Sequence, residues 1–293
     1  MTQILWFQDQ EWALREVRGK DRVDFLRRLT TNVIPSTPSP LIHNFFLSVN
    51  AKVQAEFWVC AQPEYLALLC PKAQVDSLQE CIDRYHFGED IEVTSPEGSL
   101  FVVAGLTEDP PECQTVFSPD PRYGDDCRWC FVEPNQVEAF LSRLEQEGET
   151  MAPAESERRR ILAGRPKFGV DYDENTLFVE VAQRGDFSET KGCYPGQEIV
   201  ARVLHRGRLN RHLRGFRSET AIPSSWQLKS DGKEVASVRS TVTLPDGSSL
   251  GYLLVRREYG AQGQSLTGVD DQGTEYTLTV TPRTDEVLTG DDE

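Results

Sequence analysis

The sequence contains no long hydrophobic run and no common nucleotide-binding motif. Its longest apolar stretches, such as Leu100–Leu106, are far shorter than the roughly 20 residues that a membrane-spanning helix needs. The apolar segment Ile4–Phe7 is followed at once by polar and acidic residues, unlike a secretory signal peptide. No GxGxxG follows a predicted strand, and there is no P-loop. These absences disfavour a membrane partner and nucleotide binding of those types, and they predict a cytoplasmic protein.

Basic residues are in the minority: the 293 residues include 31 Lys and Arg against 47 Asp and Glu, a formal net charge of −16. Such a balance disfavours a protein that binds nucleic acid over its whole surface. The charge is uneven, however, because residues 157–217 hold 13 basic residues and only 8 acidic ones. Residues 199–217 contain six arginines, two histidines and no acid. An anionic ligand is therefore expected to bind in this part of the chain.

The seven cysteines do not predict a disulfide framework, because their number is odd and the chain is long. Cys127 and Cys130 form a CxxC, but no second Cys pair or His pair stands at zinc spacing. Both lie in a predicted strand, where residues three apart face opposite sides, so a shared metal or redox role is disfavoured. Cys60, Cys70 and Cys81 lie in apolar-patterned segments and are expected in the core.

Strands and helices are predicted to mix without the regular alternation of a doubly wound sheet, so the predicted fold class is α+β. Residues 1–210 are predicted to form an α+β region of two subdomains, with a boundary near 40–50 or 105–127. Short β-rich runs separated by turn residues follow, and they predict a small β-barrel or sandwich over 211–283. The acidic residues 284–293 are predicted to be a frayed tail.

Hydrophobic periodicity and turn residues place the individual elements. The predicted strands cover 12–17, 44–49, 53–60, 65–70, 91–94, 100–104, 127–132, 235–242, 249–256 and 275–280, and the predicted helices 73–85, 134–148 and 155–162. Asp21 is expected to cap a short helix that buries Phe25, Leu26 and Leu29. Thr107–Asp126, with four prolines, is predicted to be a connection.

The segment that starts at Lys191 is the strongest candidate for a functional site. Pro195 suits the first position of a helix, and Glu198 would complement the positive end of its dipole. Cys193 would then lie just before a helix N-terminus and close to Lys191, surroundings that favour the thiolate and lower the pKa of a cysteine. The alternative is that Cys193 packs behind a turn. Arg202 is expected to share one helix face with an arginine four residues later.

The sequence KGCYPGQEIVARVLHRG at 191–207 resembles the K-G-C-Y-x-G-Q-E signature of YgfZ-type folate-binding proteins, relatives of the glycine-cleavage T-protein, an aminomethyltransferase. Three further stretches resemble segments of that family: Gly19–Val33, Asn50–Phe57 and Arg160–Pro166. The departures are Val33, where the family usually has Asp after Thr-Asn, and Val53-Gln54, where Gly-Arg is common. The resemblance covers most of the chain.

The resemblance implies a folate-binding fold of mixed α/β, ferredoxin-like domains with a C-terminal β-barrel, and tetrahydrofolate or a derivative as the cofactor. It also implies that a carboxylate upstream of the signature holds the pterin, and Glu180 is the best match. A carboxylate can accept both adjacent donors of the amide-like pterin edge. The alternative for Glu180 is an ordinary exposed strand residue. Cys193 is the implied catalytic or key residue, and the other implied folate contacts are Lys191, Tyr194, Gln197, Glu198, Arg202 and Arg206.

The resemblance further implies an accessory protein for the assembly or repair of iron–sulfur clusters, with cluster enzymes or cluster-assembly proteins as partners. Some of those enzymes modify tRNA, which would give an indirect link to tRNA. One cysteine is too few to hold a cluster alone, so no resident metal is predicted. Two alternatives stay open, and with them the question of whether the protein is an enzyme. One is a folate-dependent aminomethyl or methyl transferase, and the other is a tRNA-binding module that uses residues 199–217.

Overall fold

The computed structural model describes residues 3–206, 209–224, 226–230, 232–270 and 272–283. Close contacts divide the chain into two compact units. The N-terminal unit comprises Met1–Ser48, Val53–Ala152 and Gly185–Pro195, and the barrel unit comprises Val49–Lys52, Pro153–Arg184 and the chain from Gly196 onward. The predicted tail at 284–293 lies outside the described residues. The predicted boundaries near 210 and within 1–210 stay predictions.

The N-terminal unit contains ten strands and three α-helices among its described residues. The strands are β1 Ile4–Asp9, β2 Trp12–Arg18, β3 Ile42–Leu47, β4 Val53–Ala61, β5 Leu66–Pro71, β6 Glu92–Thr94, β7 Ser99–Ala104, β8 Thr115–Phe117, β9 Cys127–Val132 and β10 Gly148–Thr150; the helices are α1 Arg22–Arg27, α2 Val75–Tyr85 and α3 Val137–Glu147. They form two five-stranded sheets, in the orders β10-β1-β7-β9-β8 and β3-β4-β5-β2-β6. Every pairing is antiparallel except that of β1 with β10.

The two sheets of this unit pack face to face, and helices cover their outer faces. Trp58 of β4 and Trp129 of β9 belong to the apolar cluster between the sheets. Phe25 of α1 and Leu78 of α2 pack on the other face of the second sheet. Phe140 of α3 packs on the other face of the first sheet. This layering follows from strands that are apolar on both faces, as in the fully buried β5.

Strand β9 separates the two cysteines of the CxxC. Cys127 lies in the cluster between the sheets, whereas Cys130 lies in the cluster beneath α3. Alternate residues of a strand point to opposite faces, so two residues three apart cannot meet. The predicted placement of Cys127 and Cys130 on opposite faces of one strand is confirmed.

Most predicted elements of this unit are present, but several details differ, among them the unpredicted short strand β10. The segment 107–126 contains the short strand β8, and the four-residue apolar run near the N-terminus is part of β1. Asp21 makes no side-chain capping bond to α1; its Oδ2 accepts the backbone N–H of Asp90 at 2.8 Å instead. Phe25 and Leu26 are buried, as predicted.

The barrel unit combines six strands with three α-helices among its described residues. The strands are β11 Arg211–Ser218, β12 Gln227–Ser230, β13 Lys233–Thr243, β14 Ser249–Arg256, β15 Ser265–Val269 and β16 Glu275–Thr281; the helices are α4 Pro153–Leu162, α5 Phe178–Val181 and α6 Gln197–Arg206. The strands form one antiparallel sheet in the order β12-β13-β14-β11-β16-β15.

This sheet is nearly closed, because its two edge strands approach each other. A Cβ placed on Gly268 of β15 would lie 2.5 Å from Cδ1 of Leu228 in β12. Leu228, Trp226 and Leu266 belong to the apolar cluster that fills the sheet. The predicted C-terminal barrel and the α+β fold class are confirmed. Among the described residues, none of the helices is both long enough and apolar enough to span a membrane.

Helix α4 is attached to the barrel through Arg160, which is buried. Its guanidinium donates to Asp171 Oδ2 at 2.8 Å and to Ser240 Oγ of β13 at 2.7 Å. Its Cζ lies 5.5 Å from the centre of the Tyr252 ring of β14. Burial alone would lower the pKa of Arg160, but Asp171 and Glu157 raise it, so the guanidinium stays charged. The ion pair with Asp171 and the hydrogen bond to Ser240 therefore hold α4 against the barrel.

Candidate functional site: the signature segment and Glu180

The chain that leads into the signature is bound to the turn after α1. Thr31 Oγ1 donates to the carbonyl of Asp186 at 2.7 Å, and Asn32 Nδ2 donates to that of Gly185 at 2.6 Å. In return, the backbone N–H of Ser188 donates to the carbonyl of Thr31 at 3.0 Å. The Thr-Thr-Asn stretch that resembles the family therefore positions the segment just before Lys191.

A buried histidine between two carboxylates strengthens this attachment. His43 Nδ1 lies 2.9 Å from Asp186 Oδ1, and its Nε2 lies 3.3 Å from Glu56 Oε2. The imidazole stacks on Trp58 with a centroid distance of 4.2 Å and an interplanar angle of 7°. Burial alone would lower the pKa of His43, but Asp186 and Glu56 outweigh it and raise that pKa. No local sequence pattern indicated this cluster, because its members are far apart along the chain.

Lys191 is held between a backbone carbonyl and an aromatic ring. Its Nζ donates to the carbonyl of Arg27, the last residue of α1, and lies 4.8 Å from the centre of the Tyr194 ring. Burial lowers the pKa of Lys191 to about 8, and the charge of Arg27 adds to that effect. Since a lysine normally titrates near 10.5, a large share of this amine is neutral at slightly alkaline pH.

The thiol of Cys193 is exposed, and the phenol beside it is buried. Gly192 has φ +109°, a backbone conformation that L side chains rarely adopt, so the turn before Cys193 requires glycine. Burial raises the pKa of Tyr194 to about 12. The alternative that Cys193 packs behind a turn is wrong, because its side chain faces solvent.

Glu180 lies in the barrel unit, on the short helix α5. Its carboxylate is buried, which rules out the alternative of an ordinary exposed strand residue. Glu180 Oε2 accepts the backbone N–H of Leu177 at 3.3 Å, and Oε1 accepts Nε of Arg211 at 3.0 Å. The N-terminus of α5 is attached in turn to the segment 49–52, since Phe178 donates its backbone N–H to the carbonyl of Ala51 at 2.9 Å.

The C-terminal end of α5 is held by Arg283, a residue that the sequence did not indicate. This buried guanidinium donates through Nη2 to the carbonyls of Val181 at 2.8 Å and Ala182 at 3.2 Å. Its Nε donates to the carbonyl of Leu213 in β11 at 3.0 Å. A cation is well placed at the end of a helix, where backbone carbonyls lack partners. Arg283 thus fixes α5, and with it Glu180, to the barrel.

The rest of the signature forms α6. The helix begins at Gln197, so Pro195 precedes it instead of occupying its first position. Glu198 lies in the first turn, as predicted, and its Oε1 accepts Nη2 of Arg202 at 2.9 Å, with both side chains exposed. The side chain of Arg206 lies outside the described residues. The expected basic rim is therefore partly neutralised by an acid on the same helix.

The predicted site residues fall into both units. Lys191, Cys193 and Tyr194 belong to the N-terminal unit, whereas the remaining five, Glu180, Gln197, Glu198, Arg202 and Arg206, belong to the barrel unit. Within each unit the structure joins Lys191 with Tyr194, and Glu198 with Arg202. The ion-pair partner of Glu180 is Arg211, which the sequence analysis included only among the arginines of residues 199–217.

Known proteins resemble this chain over most of its length. The tRNA-modifying protein YgfZ of Yersinia enterocolitica is 25% identical over 93% of this chain and 89% of its own length. YgfZ of Yersinia pseudotuberculosis is 23% identical over 81% of this chain and 80% of its own length. The chain is thus similar to these YgfZ proteins over most of its length. No family model matches the sequence.

The fold of this chain resembles that of a glycine-cleavage aminomethyltransferase. The aminomethyltransferase T of the glycine cleavage system of Bartonella henselae matches it with a TM-score of 0.78. The match covers 96% of this chain and 85% of that structure at 16% sequence identity. At this identity the match establishes the fold alone, and the expected aminomethyltransferase-like, mixed α/β fold is confirmed.

Proposed function

We propose that the chain is a tetrahydrofolate-binding accessory protein that supports the assembly or repair of iron–sulfur clusters. The buried carboxylate of Glu180 carries the folate part of this proposal. It is fixed by its own helix and accepts the guanidinium of Arg211. A guanidinium offers adjacent, coplanar N–H donors, which is also what the amide-like edge of a pterin offers. The residues present therefore fit a pterin that takes the place of Arg211 on this carboxylate.

Cys193 supports the cluster part of the proposal. Its exposed thiol is accessible to a protein partner, to a cluster that the partner holds, or to a one-carbon unit carried by folate. Because one cysteine supplies too few ligands for a cluster, such a contact would be shared with a cluster enzyme or a cluster-assembly protein. The name of the Yersinia relatives, tRNA-modifying protein, favours tRNA-modifying enzymes among these partners.

The folate proposal is tested by the melting temperature of the full chain in the presence of tetrahydrofolate. A ligand at 100 times its Kd stabilises a protein by about 2.7 kcal/mol, so the wild-type melting temperature is expected to rise by several degrees. The variant Glu180→Gln keeps the size of the side chain and removes its charge, and it should lose most of that rise. Glu234→Gln, which removes an exposed acid of the same unit that is not among the predicted folate contacts, is the matched control and should respond like the wild type.

Two outcomes would contradict the folate proposal. One is an unchanged wild-type melting temperature at tetrahydrofolate concentrations near millimolar. The other is an equal rise in the wild type and in Glu180→Gln. The cluster proposal is tested separately by Cys193→Ser in a strain that lacks its own copy of the gene. That variant should fail to restore the activity of a cluster enzyme while its response to tetrahydrofolate persists; full restoration would refute a role for the thiol.

A second candidate function is that of a folate-dependent aminomethyl transferase. The match of nearly the whole chain to aminomethyltransferase T favours it. Its test is the formation of methylene-tetrahydrofolate and ammonia from an aminomethyl donor and tetrahydrofolate. Turnover by the wild type that is lost in Glu180→Gln would favour this function over the accessory role.

A further inference from the structure

Two thiols meet in the N-terminal unit beneath α3. Cys113 precedes β8, and Cys130 lies on β9, which pairs with β8. Both belong to the same apolar cluster, together with Val116, which pairs with Cys130. Among its neighbours, Cys113 has the largest effect on the pKa of Cys130, which it raises. The shared cluster and the pairing of β8 with β9 therefore place the two cysteines side by side, although 17 positions separate them in the sequence.

Backbone hydrogen bonds hold the segment around Cys113 against β9. The N–H of Gln114 donates to the carbonyl of Phe131 at 2.9 Å, next to Cys130, and the N–H of Cys113 donates to the carbonyl of Pro110 at 3.1 Å. Cys113 lies in an irregular turn, outside the strands. A turn can adjust more readily than a strand to the Cα separation of roughly 4.4 to 6.8 Å that a disulfide requires.

The two cysteines differ in access. Cys113 is partly exposed, whereas Cys130 is buried. The neighbouring Cys113 side chain and burial raise the pKa of Cys130, so this thiol keeps its proton. Since the thiolate is the nucleophile in thiol–disulfide exchange, the accessible Cys113 is the residue that would attack an oxidant first.

We propose that Cys113 and Cys130 form a redox-active dithiol, which a low-molecular-weight disulfide converts into an intramolecular disulfide. With oxidised glutathione, the Cys113 thiolate attacks one sulfur, forms a mixed disulfide and releases one glutathione thiolate. Cys130 sulfur then attacks Cys113 sulfur, and the bond to glutathione breaks. The Cys130 proton leaves with the departing glutathione. The two cysteines are oxidised by two electrons, and one oxidised glutathione is reduced to two glutathione molecules.

The test uses the full chain, treated with oxidised glutathione at slightly alkaline pH, blocked with N-ethylmaleimide and digested with trypsin. Trypsin places Cys113 in peptide 85–122, Cys127 in 123–128 and Cys130 in 129–143, so mass spectrometry can distinguish each pairing. The expected product is peptide 85–122 cross-linked to peptide 129–143. Its loss after treatment with a reductant shows that the bond is reversible.

Three variants test which cysteines form the disulfide. Cys113→Ser and Cys130→Ser should each lose the cross-linked peptide, and Cys130→Ser should carry glutathione on Cys113. Cys127→Ser, which changes the neighbouring buried cysteine of β9, should still give the cross-linked peptide. The proposal is overturned if the wild type gives no such peptide while the exposed Cys193 of the same sample becomes glutathionylated. It is also overturned if Cys113 pairs mainly with Cys127. The wild-type result needs no variant, so poor folding of a variant cannot hide the answer.

Discussion

At the scale of single residues, the surroundings of Lys191 and Tyr194 assign different roles to the two titratable neighbours of Cys193. Burial favours the neutral form of both groups: it lowers the pKa of Lys191 to about 8 and raises the pKa of Tyr194 to about 12. The amine therefore changes charge near physiological pH, whereas the phenol stays protonated. Of these two groups, Lys191 is the one able to accept a proton or react with an electrophile near Cys193.

Lys191 is expected to react with an acylating reagent faster than an ordinary lysine at pH 8. With a pKa of about 8, roughly half of this amine is neutral at that pH, against about 0.3% for a lysine that titrates at 10.5. Labelling followed by mass spectrometry should show a rate for Lys191 that is half-maximal near pH 8 and levels off above about pH 9. The surface residue Lys20 serves as the comparison. A Lys191 rate that keeps rising up to pH 10 would contradict the lowered pKa.

His43 is expected to stabilise the N-terminal unit most at low pH. Its folded-state pKa is raised above the ordinary 6.5 by Asp186 and Glu56, so its charged form is favoured by folding. This contribution is complete below about pH 6.5 and is lost as the pH rises through the folded-state value. Breaking such a buried ion pair costs about 3 kcal/mol.

The measurement for His43 is urea unfolding of the wild type and of His43→Gln across a range of pH. The difference in unfolding free energy between the two proteins should be largest at pH 5 to 6 and should shrink as the pH rises. Acid titration of the carboxylates affects both proteins, which is why the difference is the quantity to follow. A difference that grows with pH would show that His43 is neutral in the folded state.

At the scale of elements, α5 illustrates how a very short helix is held in place. Its four residues are too few to form a stable helix alone. The carbonyl of Ala51 binds its first N–H, Arg211 binds the carboxylate of Glu180, and Arg283 binds the carbonyls at its end. The position of the proposed pterin carboxylate thus depends on three segments that are remote in the sequence.

Gly251→Ala is expected to destabilise the barrel. A Cβ at this position of β14 would lie 2.0 Å from the carbonyl oxygen of Ser240 and 2.7 Å from the ring of Phe216. The register of β13 against β14 shifts next to Ser240, and such a bulge brings backbones close together. Because a backbone oxygen cannot easily move, overpacking should cost about 2 kcal/mol or more.

Urea unfolding measures the cost of Gly251→Ala. Gly88→Ala is the control, because a Cβ at Gly88 meets nothing within 4 Å, and a surface change of this kind stays within about 0.5 kcal/mol. Equal stability of the two variants would mean that β13 and β14 are further apart than the structure shows.

At the scale of the whole molecule, much of the locally basic charge is paired with acidic side chains of the same chain. Several arginines between 157 and 217 have acidic partners among the described residues: Arg158 and Arg159 with Glu155, Arg160 with Glu157 and Asp171, Arg202 with Glu198, and Arg211 with Glu180. Arg214 of β11 is buried. A segment that is basic in sequence is therefore a much weaker basic surface in the folded protein.

The full chain is accordingly expected not to retain labelled tRNA at physiological salt. The remaining surface of a chain with net charge −16 repels the phosphate backbone, and contacts to a few phosphates weaken steeply with salt. Filter binding across a salt series measures this. Retention at physiological salt would instead favour the tRNA-binding module and would make the link to tRNA direct.

The amount that could be predicted from sequence differs between the fold and the site. The strand at 127–132 and the β-rich C-terminal part were correct because alternation and turn residues act over a few neighbouring positions. The short strands β1 and β8 were missed because three to six residues carry too little periodicity. For the site, the signature indicated Cys193, Lys191 and Tyr194, but it did not predict that Lys191 contacts the Arg27 carbonyl and the Tyr194 ring.

The sequence by itself determined the α+β class, the acidic background and the signature around Cys193, since these depend on composition and local pattern. Only the tertiary structure decided that Glu180 is buried, that Arg211 lies on its carboxylate and that Arg283 fixes its helix. Those partners are 31 and 102 positions away from the residues they bind. Contacts at such separations follow from how whole sheets and helices pack, and no local pattern of residues encodes them.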